Sequence, residues 1–299
     1  MKLLLLGADG QVGWELRRSL SVLGEVRAAT RTSVDGVAGN LEDPEAVAAG
    51  IRAFRPEVIV NAAAHTAVDA AETDVDRARL INGTAVGVLA REAAAAGSLL
   101  VHYSTDYVFD GSGTTPWKED AATGPLSVYG RTKLEGEELI RQSGCRHLIF
   151  RTCWVYASRG KNFLRTMLRL ASERDALSVV GDQVGAPTGA DLIADVTAHA
   201  ISTASRSPAI SGTWHLAAAG YTSWHGYATH VIATARALGH PVRVAQDAIR
   251  ACATRDFPTP ARRPANSRLD TTKLCRTFGL AMPDWQDGVD RAIRELCTK

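Results

Sequence analysis

The chain has few cysteines, and their spacing suggests no pairing. It contains five cysteines in 299 residues, and no Cys-x-x-Cys motif occurs among them. An odd count without short spacings argues against a disulfide framework and against a zinc knuckle. Free thiols of this kind are typical of a reducing compartment, so we expect a cytoplasmic protein.

The sequence also lacks a strong net charge and a long apolar run. A formal net charge of +2 gives no case for nucleic acid or an anionic membrane as a partner. No stretch approaches the roughly 20 apolar residues that a membrane-spanning helix needs. The opening run at residues 3–6 is too short for the core of a signal peptide. We therefore expect a soluble protein that binds neither nucleic acid nor membranes, and that must hold any anionic ligand with local positive groups.

What the first half does contain is a regular alternation of strand and helix patterns. Residues 1–6 form a continuous apolar run, as in a strand buried on both faces of a parallel sheet. Helical patterns, one of them at residues 74–96, separate this run from further predicted strands at 26–30, 58–61, 99–104 and 148–150. The alternation predicts an α/β fold with a Rossmann-like, doubly wound parallel sheet. It weakens after about residue 155, where an extended piece is predicted at 242–244.

A glycine-rich turn joins the first strand to the first helix. Gly7, Gly10 and Gly13 lie in this turn, and strand, turn and helix in that order are the context of a dinucleotide-binding fingerprint. Glycines let the backbone approach a pyrophosphate, which then lies at the positive end of the helix. The spacing Gly-x-x-Gly-x-x-Gly differs from the usual Gly-x-Gly-x-x-Gly, so a glycine turn without a ligand remains the alternative.

The ends of the second and third strands also carry residues that suit a cofactor. Arg31 stands where an NAD-binding protein commonly has an acidic residue. Since an arginine can pair with a 2′-phosphate, we predict NADPH, with NADH as the alternative if Arg31 is merely solvated. The small residues Ala63 and Ala64 after the third strand leave room for a cofactor, and the adjacent His65 is either a ligand contact or a loop-edge histidine.

Tyr129 and Lys133 are four residues apart in a predicted helix and therefore share one face. A cation beside a phenol lowers the phenol pKa, and the group can then exchange a proton with a carbonyl or an alcohol. Thr105 and Asp106 follow the strand at 99–104, where the carboxyl ends of parallel strands face the ligand crevice. The hydroxyl of Thr105 could donate to a substrate oxygen there. An ordinary solvated helix face is the alternative for Tyr129 and Lys133.

Two adjacent arginines near the C-terminus stand in a segment that cannot form regular structure. Residues 257–264 contain three prolines in eight residues. Arg262 and Arg263 in this segment could clamp a phosphate or a carboxylate. An exposed basic loop is the alternative interpretation.

Seven blocks in one order, from residue 7 to residue 267, resemble a known family. They are GADGQVG at 7–13, NAAAHTAVD at 61–69, STDYVF at 104–109, YGRTK at 129–133, RTCWVY at 151–156, DQVGAPT at 182–188 and RPANS at 263–267. The glycine turn, the Thr-Asp pair and Tyr-x-x-x-Lys resemble the extended short-chain dehydrogenase/reductase superfamily. Within it, the seven blocks resemble the dTDP-4-dehydrorhamnose reductase family.

The resemblance implies a division into two domains. Residues 1–155, completed by parts of 190–216, would form a Rossmann domain that binds NAD(P). Residues 156–299 would form a smaller C-terminal domain that mainly binds substrate. The implied reaction is the NAD(P)H-dependent reduction of the C4 ketone of dTDP-6-deoxy-L-lyxo-4-hexulose to dTDP-L-rhamnose. The alternatives are a nucleotide-sugar epimerase or dehydratase, and a non-catalytic regulatory subunit of the same fold.

The resemblance also implies a role for each group of site residues. Tyr129 would be the proton donor, Lys133 would hold the nicotinamide ribose and lower the pKa of Tyr129, and Thr105 would bond the substrate oxygen. Besides Tyr129 and Lys133, the residues expected at the cofactor are Gly7, Gly10, Gln11, Val12, Arg31, Asn40, Leu41, Ala63, Ala64 and His65. Those expected at the nucleotide-sugar substrate are Thr105, Asp106, Trp154, Arg262 and Arg263. A packed core ring is the alternative for Trp154.

Three further expectations follow from the resemblance. Asn82, in the helix at 74–96, would help to hold a water of the proton relay, with a packed polar residue as the alternative. A homodimer is the oligomeric state that we expect. Some members of the family need a divalent cation at a dimer contact near Glu15, but a helix-surface glutamate is usually only that, and we predict no metal.

Overall fold

A parallel sheet stands at the centre of the structure, a computed structural model that describes residues 1–32 and 37–297. The strands are β1 (Lys2–Leu6), β2 (Glu25–Ala29), β3 (Val58–Asn61), β4 (Leu99–Thr105), β5 (His147–Thr152), β6 (Val155–Tyr156), β7 (Leu177–Val180), β8 (Val184–Gly185), β9 (Thr188–Gly189), β10 (Gly212–His215), β11 (Thr222–Ser223) and β12 (Ile249–Cys252). Six of them form the central sheet in the order β2, β1, β3, β4, β5 and β10, and every neighbouring pair is parallel.

Helices cover both faces of this sheet, which confirms the predicted doubly wound α/β fold. They are α1 (Gln11–Leu20), α2 (Pro44–Phe54), α3 (Val68–Ala71), α4 (Val75–Arg79), α5 (Ala85–Ala96), α6 (Val128–Ser143), α7 (Phe163–Glu173), α8 (Ala190–Arg206), α9 (Trp224–Ala237), α10 (Thr272–Phe278) and α11 (Trp285–Cys297). Leu3 and Leu5 pack in the core beneath α1 and α8, whereas Leu4 and Leu6 pack in the core beneath α2 and α5. Alternate residues of a strand point to opposite faces, so a run of leucines fills both cores.

A second, smaller core lies in the C-terminal half of the chain. It is formed by α7, α9 and α11 together with the parallel pair β7 and β12. The helix α8 packs instead against α1, and β10 pairs with β5, so these two elements lie with the central sheet. In the described ranges, no helix is both long and apolar enough to cross a membrane.

The extended piece predicted at residues 242–244 is not part of a strand. The backbone N–H groups of Arg243 and Val244 both donate to the carbonyl oxygen of Ala171, so this piece closes the end of α7. The residues that pair with β7 are those of β12. A hydrophobic strand pattern cannot tell these two segments apart, because only the tertiary packing decides which one reaches a free strand edge.

The helix predicted at residues 74–96 is interrupted by a π-helical turn at Leu80–Thr84. Asn82 lies in this turn and is fully buried. The helix α6 packs very close to it, because a Cβ atom built on Gly136 would lie 2.3 Å from the carbonyl oxygen of Asn82. Turns of this type are frequent at functional sites, and this one contacts His65, in the segment after β3, through Asn82.

Candidate active site

The glycine turn after β1 brings the chain close to the segment that follows β3. Gly7 has φ +79°, and a Cβ atom there would lie 2.6 Å from the backbone nitrogen of Ala63. Gly10 precedes α1 as its N-cap and offers no side-chain cap. Among the described residues, the N–H groups of Gln11 and Val12 have no hydrogen-bond acceptor. An open turn with free N–H groups at a helix N-terminus fits a pyrophosphate.

The loop after β3 is a second place where a cofactor could bind. The backbone N–H of His65 donates to Asn82 Oδ1 at 2.9 Å, and Asn82 Nδ2 donates to the carbonyl oxygen of His65 at 3.1 Å. The ring atom Nδ1 of His65 is buried and has no partner within the described residues. Buried polar atoms normally have a partner, so this nitrogen suits a group that a cofactor would supply. The side chain of Asn82 therefore holds the loop that the cofactor would contact.

The residues predicted for the adenosine end are spread over the loop beyond β2. Arg31 is exposed two residues after β2 ends. Asn40 Oδ1 accepts from the N–H of Glu42 at 3.1 Å, so that amide stabilises its own turn. The side chain of Leu41 is only 3% exposed and lies in the core with Leu4. A contact from Leu41 to the adenine could therefore come only from its backbone.

Tyr129 and Thr105 meet at the carboxyl end of β4. The helix α6 begins after Ser127, whose Oγ accepts from the N–H of Gly130 at 3.2 Å, and this cap places Tyr129 in the first turn. The Tyr129 phenol lies near the Thr105 side chain, which favours ionisation of the phenol. The Tyr129 ring also makes an edge contact with Tyr107, with ring centroids 5.5 Å apart. The structure thus brings together the two hydroxyl groups that the sequence predicted for the substrate oxygen.

The pKa of Tyr129 shows that one expectation was wrong. Burial raises the pKa of Tyr129 to about 12, although the Thr105 side chain opposes that rise. The sequence predicted the opposite direction, because Lys133 was expected to act on the phenol. Lys133 Nζ instead lies 3.1 Å from Nε2 of His102. With a raised pKa the phenol keeps its proton at neutral pH, which is the state a proton donor needs.

Lys133 is almost completely buried in the same helix. Burial lowers the pKa of Lys133 to about 8, and the carboxylate of Glu137 one turn away acts in the opposite direction. Sequence reasoning missed its neighbour His102. The available signal was a single imidazole inside the apolar run of β4, where a polar side chain needs a partner.

Asp106 is the partner of two hydroxyl groups. Thr105 Oγ1 donates to Asp106 Oδ1 at 3.1 Å, and Ser267 donates to Asp106 Oδ2. Burial raises the pKa of Asp106 to about 6, against the lowering effect of these two bonds. Asp106 therefore fixes Thr105 and also links β4 to the C-terminal segment. A direct contact between Asp106 and substrate stays a prediction.

Trp154 lies between the two halves of the chain in an unusual backbone conformation. Its φ is +49°, which is rare for a bulky residue. The ring stacks on Trp224 with centroids 3.6 Å apart, and a Cβ atom on Gly185 would lie 2.8 Å from it. A strained conformation persists only where its surroundings fix it, as often happens at binding sites. The half-buried ring has one side packed, and its role over the sugar stays a prediction.

The two C-terminal arginines differ in their environment. Arg263 makes two hydrogen bonds to the carboxylate of Asp69, at 3.0 and 2.7 Å, and these bonds lower the pKa of Asp69. Arg262 is exposed. Arg263 therefore already has a counter-charge and ties its loop to α3, whereas Arg262 keeps a solvated charge. The predicted anion clamp would rest mainly on Arg262.

Glu15, the residue considered for a cation contact, lies in α1. Glu15 is half-buried, and its nearest cation is Arg18 at 3.8 Å. Within residues 1–32 and 37–297, no three His, Cys, Asp or Glu side chains are grouped so as to hold an ion.

The fold and the site define a class of protein. A doubly wound sheet with an open glycine turn, and a Tyr-x-x-x-Lys helix beside a strand-end hydroxyl, characterise the extended short-chain dehydrogenases/reductases. The family model described as RmlD substrate binding domain matches residues 1–298. The chain belongs to the dTDP-4-dehydrorhamnose reductase family.

Individual relatives are similar over their whole length. The dTDP-4-dehydrorhamnose reductase of Shigella flexneri is 52% identical over 298 residues, which is 100% of this chain and 99% of that protein. A crystal structure of such a reductase from Clostridium acetobutylicum has a TM-score of 0.88 at 34% identity, with 99% of each chain covered. Another, from Bacillus anthracis in complex with NADP, has a TM-score of 0.86 at 30% identity and covers 98% of this chain and 99% of its own.

Proposed function

We propose that this protein reduces the C4 ketone of dTDP-6-deoxy-L-lyxo-4-hexulose to dTDP-L-rhamnose, with NADPH as the reductant. The observation that carries the proposal is the meeting of a protonated Tyr129 phenol with Thr105 at the carboxyl end of β4. Full-length identity of 52% to a relative with this activity in its name supports the choice of substrate. The complex of a 30% identical relative with NADP supports the choice of cofactor.

Hydride addition to a ketone builds negative charge on its oxygen, so the useful protein groups are donors aimed at that oxygen. NADPH supplies the hydride when bound. The O–H of Tyr129 transfers its proton to the substrate oxygen, and Thr105, held by Asp106, keeps the phenol in place. Lys133 holds the nicotinamide ribose. Residues 1–155, with parts of 190–216, bind the cofactor, and residues 156–299 mainly bind the sugar nucleotide.

One experiment tests the reaction as a whole. The purified protein is given dTDP-4-keto-6-deoxyglucose, the matching 3,5-epimerase and NADPH, and both NADPH oxidation and the sugar product are followed. We expect one NADPH consumed for each dTDP-L-rhamnose formed. Sugar conversion without net NADPH consumption would instead indicate an epimerase or a dehydratase. Absence of turnover in a protein that copurifies with an obligatory partner would indicate a regulatory subunit.

The preference for NADPH is expected to depend on Arg31. In Arg31→Ala we expect the KM for NADPH to rise by about tenfold or more, because a charge-assisted bond to the 2′-phosphate is lost. The KM for NADH should change by less than about twofold, since NADH lacks that phosphate. Arg27→Ala is the matched control, because Arg27 lies in β2, four residues before Arg31, and stacks on Phe54 at 4.2 Å. A wild-type protein that clearly prefers NADH would contradict this assignment.

A homodimer and a cytoplasmic location are the remaining parts of the proposal. An indole on the outer face of α1 supports the dimer, because Trp14 is 44% exposed next to Glu15. Sedimentation equilibrium would measure the oligomeric state. Five unpaired cysteines support a reducing compartment.

A further inference from the structure

A chain of buried polar groups runs behind Lys133 from the loop after β3. The backbone N–H of Ala63 donates to Asn61 Oδ1 at 3.1 Å. Asn61 Nδ2 lies 3.2 Å from His102 Nδ1, and His102 Nε2 lies 3.1 Å from Lys133 Nζ. Asn61, His102 and Lys133 are 1%, 0% and 2% exposed, so water cannot replace any of these contacts. Each of these groups must therefore find its hydrogen-bond donor or acceptor among the other protein atoms.

The direction of this chain is fixed at one end. A backbone N–H can only donate, so the atom of Asn61 that faces Ala63 is the carbonyl oxygen. The amide nitrogen of Asn61 then faces His102 and donates to Nδ1. A neutral imidazole with an accepting Nδ1 carries its proton on Nε2. That Nε2–H points at Lys133 Nζ, which can accept a hydrogen bond only as an uncharged amine.

A charged Lys133 would break this chain at one of its contacts. An ammonium group only donates, so His102 Nε2 would have to accept and the proton would move to Nδ1. His102 Nδ1–H would then face the amide nitrogen of Asn61, which is also a donor and cannot accept. Turning the Asn61 amide over moves the same conflict to the N–H of Ala63. Because Asn61 and His102 are buried, an unpaired donor between them cannot be compensated by solvent.

We propose that His102 is a positioning residue that donates from Nε2–H to the uncharged amine of Lys133 and so favours loss of the Lys133 proton.

The charges that face Lys133 from the surrounding elements do not reverse this effect. Glu137 on α6 favours the ammonium, but its carboxylate is already bonded to Arg151 of β5. On the side of the turn after β4, the acidic groups are Asp106 and the phenols of Tyr107 and Tyr129. The carboxylate of Asp106 is already bonded to Thr105 and Ser267. Burial raises the pKa of both phenols, so they stay uncharged near neutral pH. Burial of Lys133 acts in the same direction as the contact with His102.

The consequence for turnover rests on the proposed function. After Tyr129 has protonated the substrate oxygen, its phenolate needs a proton. In net terms an N–H bond at Lys133 Nζ breaks, its electron pair stays on nitrogen, and an O–H bond forms again at Tyr129. Solvent later returns one proton to Nζ. The uncharged amine left at Lys133 is the state that His102 stabilises, so His102 favours this proton delivery.

Two variants reverse the effect of His102 by different means. In His102→Gln, the side-chain carbonyl can accept from a Lys133 ammonium. In Asn61→Asp, a carboxylate of the same shape accepts both from Ala63 N–H and from His102 Nδ1–H, which leaves Nε2 free to accept from the ammonium. His215→Gln is the matched control, because His215 is also 0% exposed and its Nδ1 contacts the carbonyl oxygen of Trp117, away from Lys133.

The proton affinity of Lys133 is measured without cofactor or substrate. NMR titration of protein labelled at lysine Cε follows six resonances, and Lys133→Met identifies the relevant one. We expect a midpoint near pH 8 in the wild-type protein, because burial lowers the pKa of Lys133. Both His102→Gln and Asn61→Asp should raise it by about one pH unit or more toward the ordinary lysine value, and His215→Gln should not.

A wild-type midpoint at the ordinary lysine value would overturn the proposal, as would an unchanged or lower midpoint in whichever of the two variants gives a folded spectrum. In the reductase assay, the limb of the pH profile assigned to Lys133 should move upward in the same variants and stay in place in His215→Gln. A wild-type protein without reductase activity would refute the proposed function, and the NMR result would still decide the role of His102.

Discussion

Replacing Tyr129 by Phe is expected to lower kcat for the reduction by about 10²–10⁴-fold, the usual contribution of a positioned general acid. The ring and its edge contact with Tyr107 remain, and only the hydroxyl that meets Thr105 is lost. The negative charge that develops on the substrate oxygen then has no proton donor. NADPH affinity should change by less than about twofold. The Tyr129 hydroxyl acts in the transition state, and a group that acts only there does not contribute to binding of the cofactor.

Tyr107→Phe is the matched control for this variant. Tyr107 is the other phenol at the end of β4, and its hydroxyl lies near Arg263 rather than Thr105. Its loss should lower kcat by less than about tenfold, since it has no donor role in the reaction. Stopped-flow measurement of NADPH oxidation gives kcat, and quenching of tryptophan fluorescence gives the NADPH affinity. Near-normal turnover in Tyr129→Phe would remove the phenol from its assigned role.

The state of the Tyr129 phenol also bears on the pH dependence of the reaction. Burial raises the pKa of the Tyr129 phenol, so the phenol keeps its proton near neutral pH. Lys133, whose pKa is lowered to about 8, and Asp106, whose pKa is raised to about 6, are the site groups that titrate closer to neutral pH. The sequence predicted one coupled pair in which the lysine activates the tyrosine. The structure gives the two groups different neighbours, because Lys133 Nζ faces His102 and the Tyr129 phenol lies near Thr105.

The fold could be predicted because its signals are local. The run from Leu3 to Leu6 indicates burial on both sides within a few residues, and the helices between the strands carry their own spacing. The same is true of Gly7 and Gly10, which indicate a turn, and of the four-residue spacing that places Tyr129 and Lys133 on one helix face. Each of these inferences needs only a stretch of sequence about as long as one helix or strand.

The parts that could not be predicted depend on distant partners. His102 meets Lys133 from 31 residues away and Asn61 from 41 residues away, so no window of the sequence contains the chain of contacts. Arg263 is paired with Asp69 across 194 residues, which changes it from a free cation to a compensated one. The direction of the pKa shift of Tyr129 depends on burial, and burial of one phenol is a property of the assembled site.

Breaking the buried ion pair between Glu137 and Arg151 is expected to lower the free energy of unfolding by about 3–5 kcal/mol. Arg151 donates from Nε to Oε1 at 2.9 Å and from Nη2 to Oε2 at 2.7 Å, and the side chain of Glu137 is fully buried. Arg141 adds a third bond at 3.0 Å from the surface side. Glu137→Gln removes the negative charge but leaves Arg151 charged and buried, and a buried uncompensated charge is the costly state.

The ionisation of Glu137 gives this pair a defined pH dependence. Burial alone would raise the pKa of Glu137, but the bonds from Arg151 and Arg141 outweigh burial and hold it below its ordinary value. A carboxyl whose pKa is lower in the folded than in the unfolded state stabilises the fold above the unfolded pKa of about 4.3. That stabilisation is lost as the pH falls through the folded pKa. The difference between wild type and Glu137→Gln should therefore be largest near pH 7 and should shrink in acid.

Two further variants separate the charge from the contact. In Glu173→Gln the exposed pair with Arg169 is lost, and such a pair contributes about 0–1 kcal/mol, so this control should unfold almost like the wild type. The double variant Glu137→Leu with Arg151→Met removes both buried charges and should be more stable than Glu137→Gln alone, since no unpaired charge remains. Urea unfolding at pH 7, followed by circular dichroism, measures all three. If Glu137→Gln loses no more stability than Glu173→Gln, the pair does not hold α6 against β5, and the position of Tyr129 and Lys133 must depend on the close packing of Gly136 against the turn that contains Asn82.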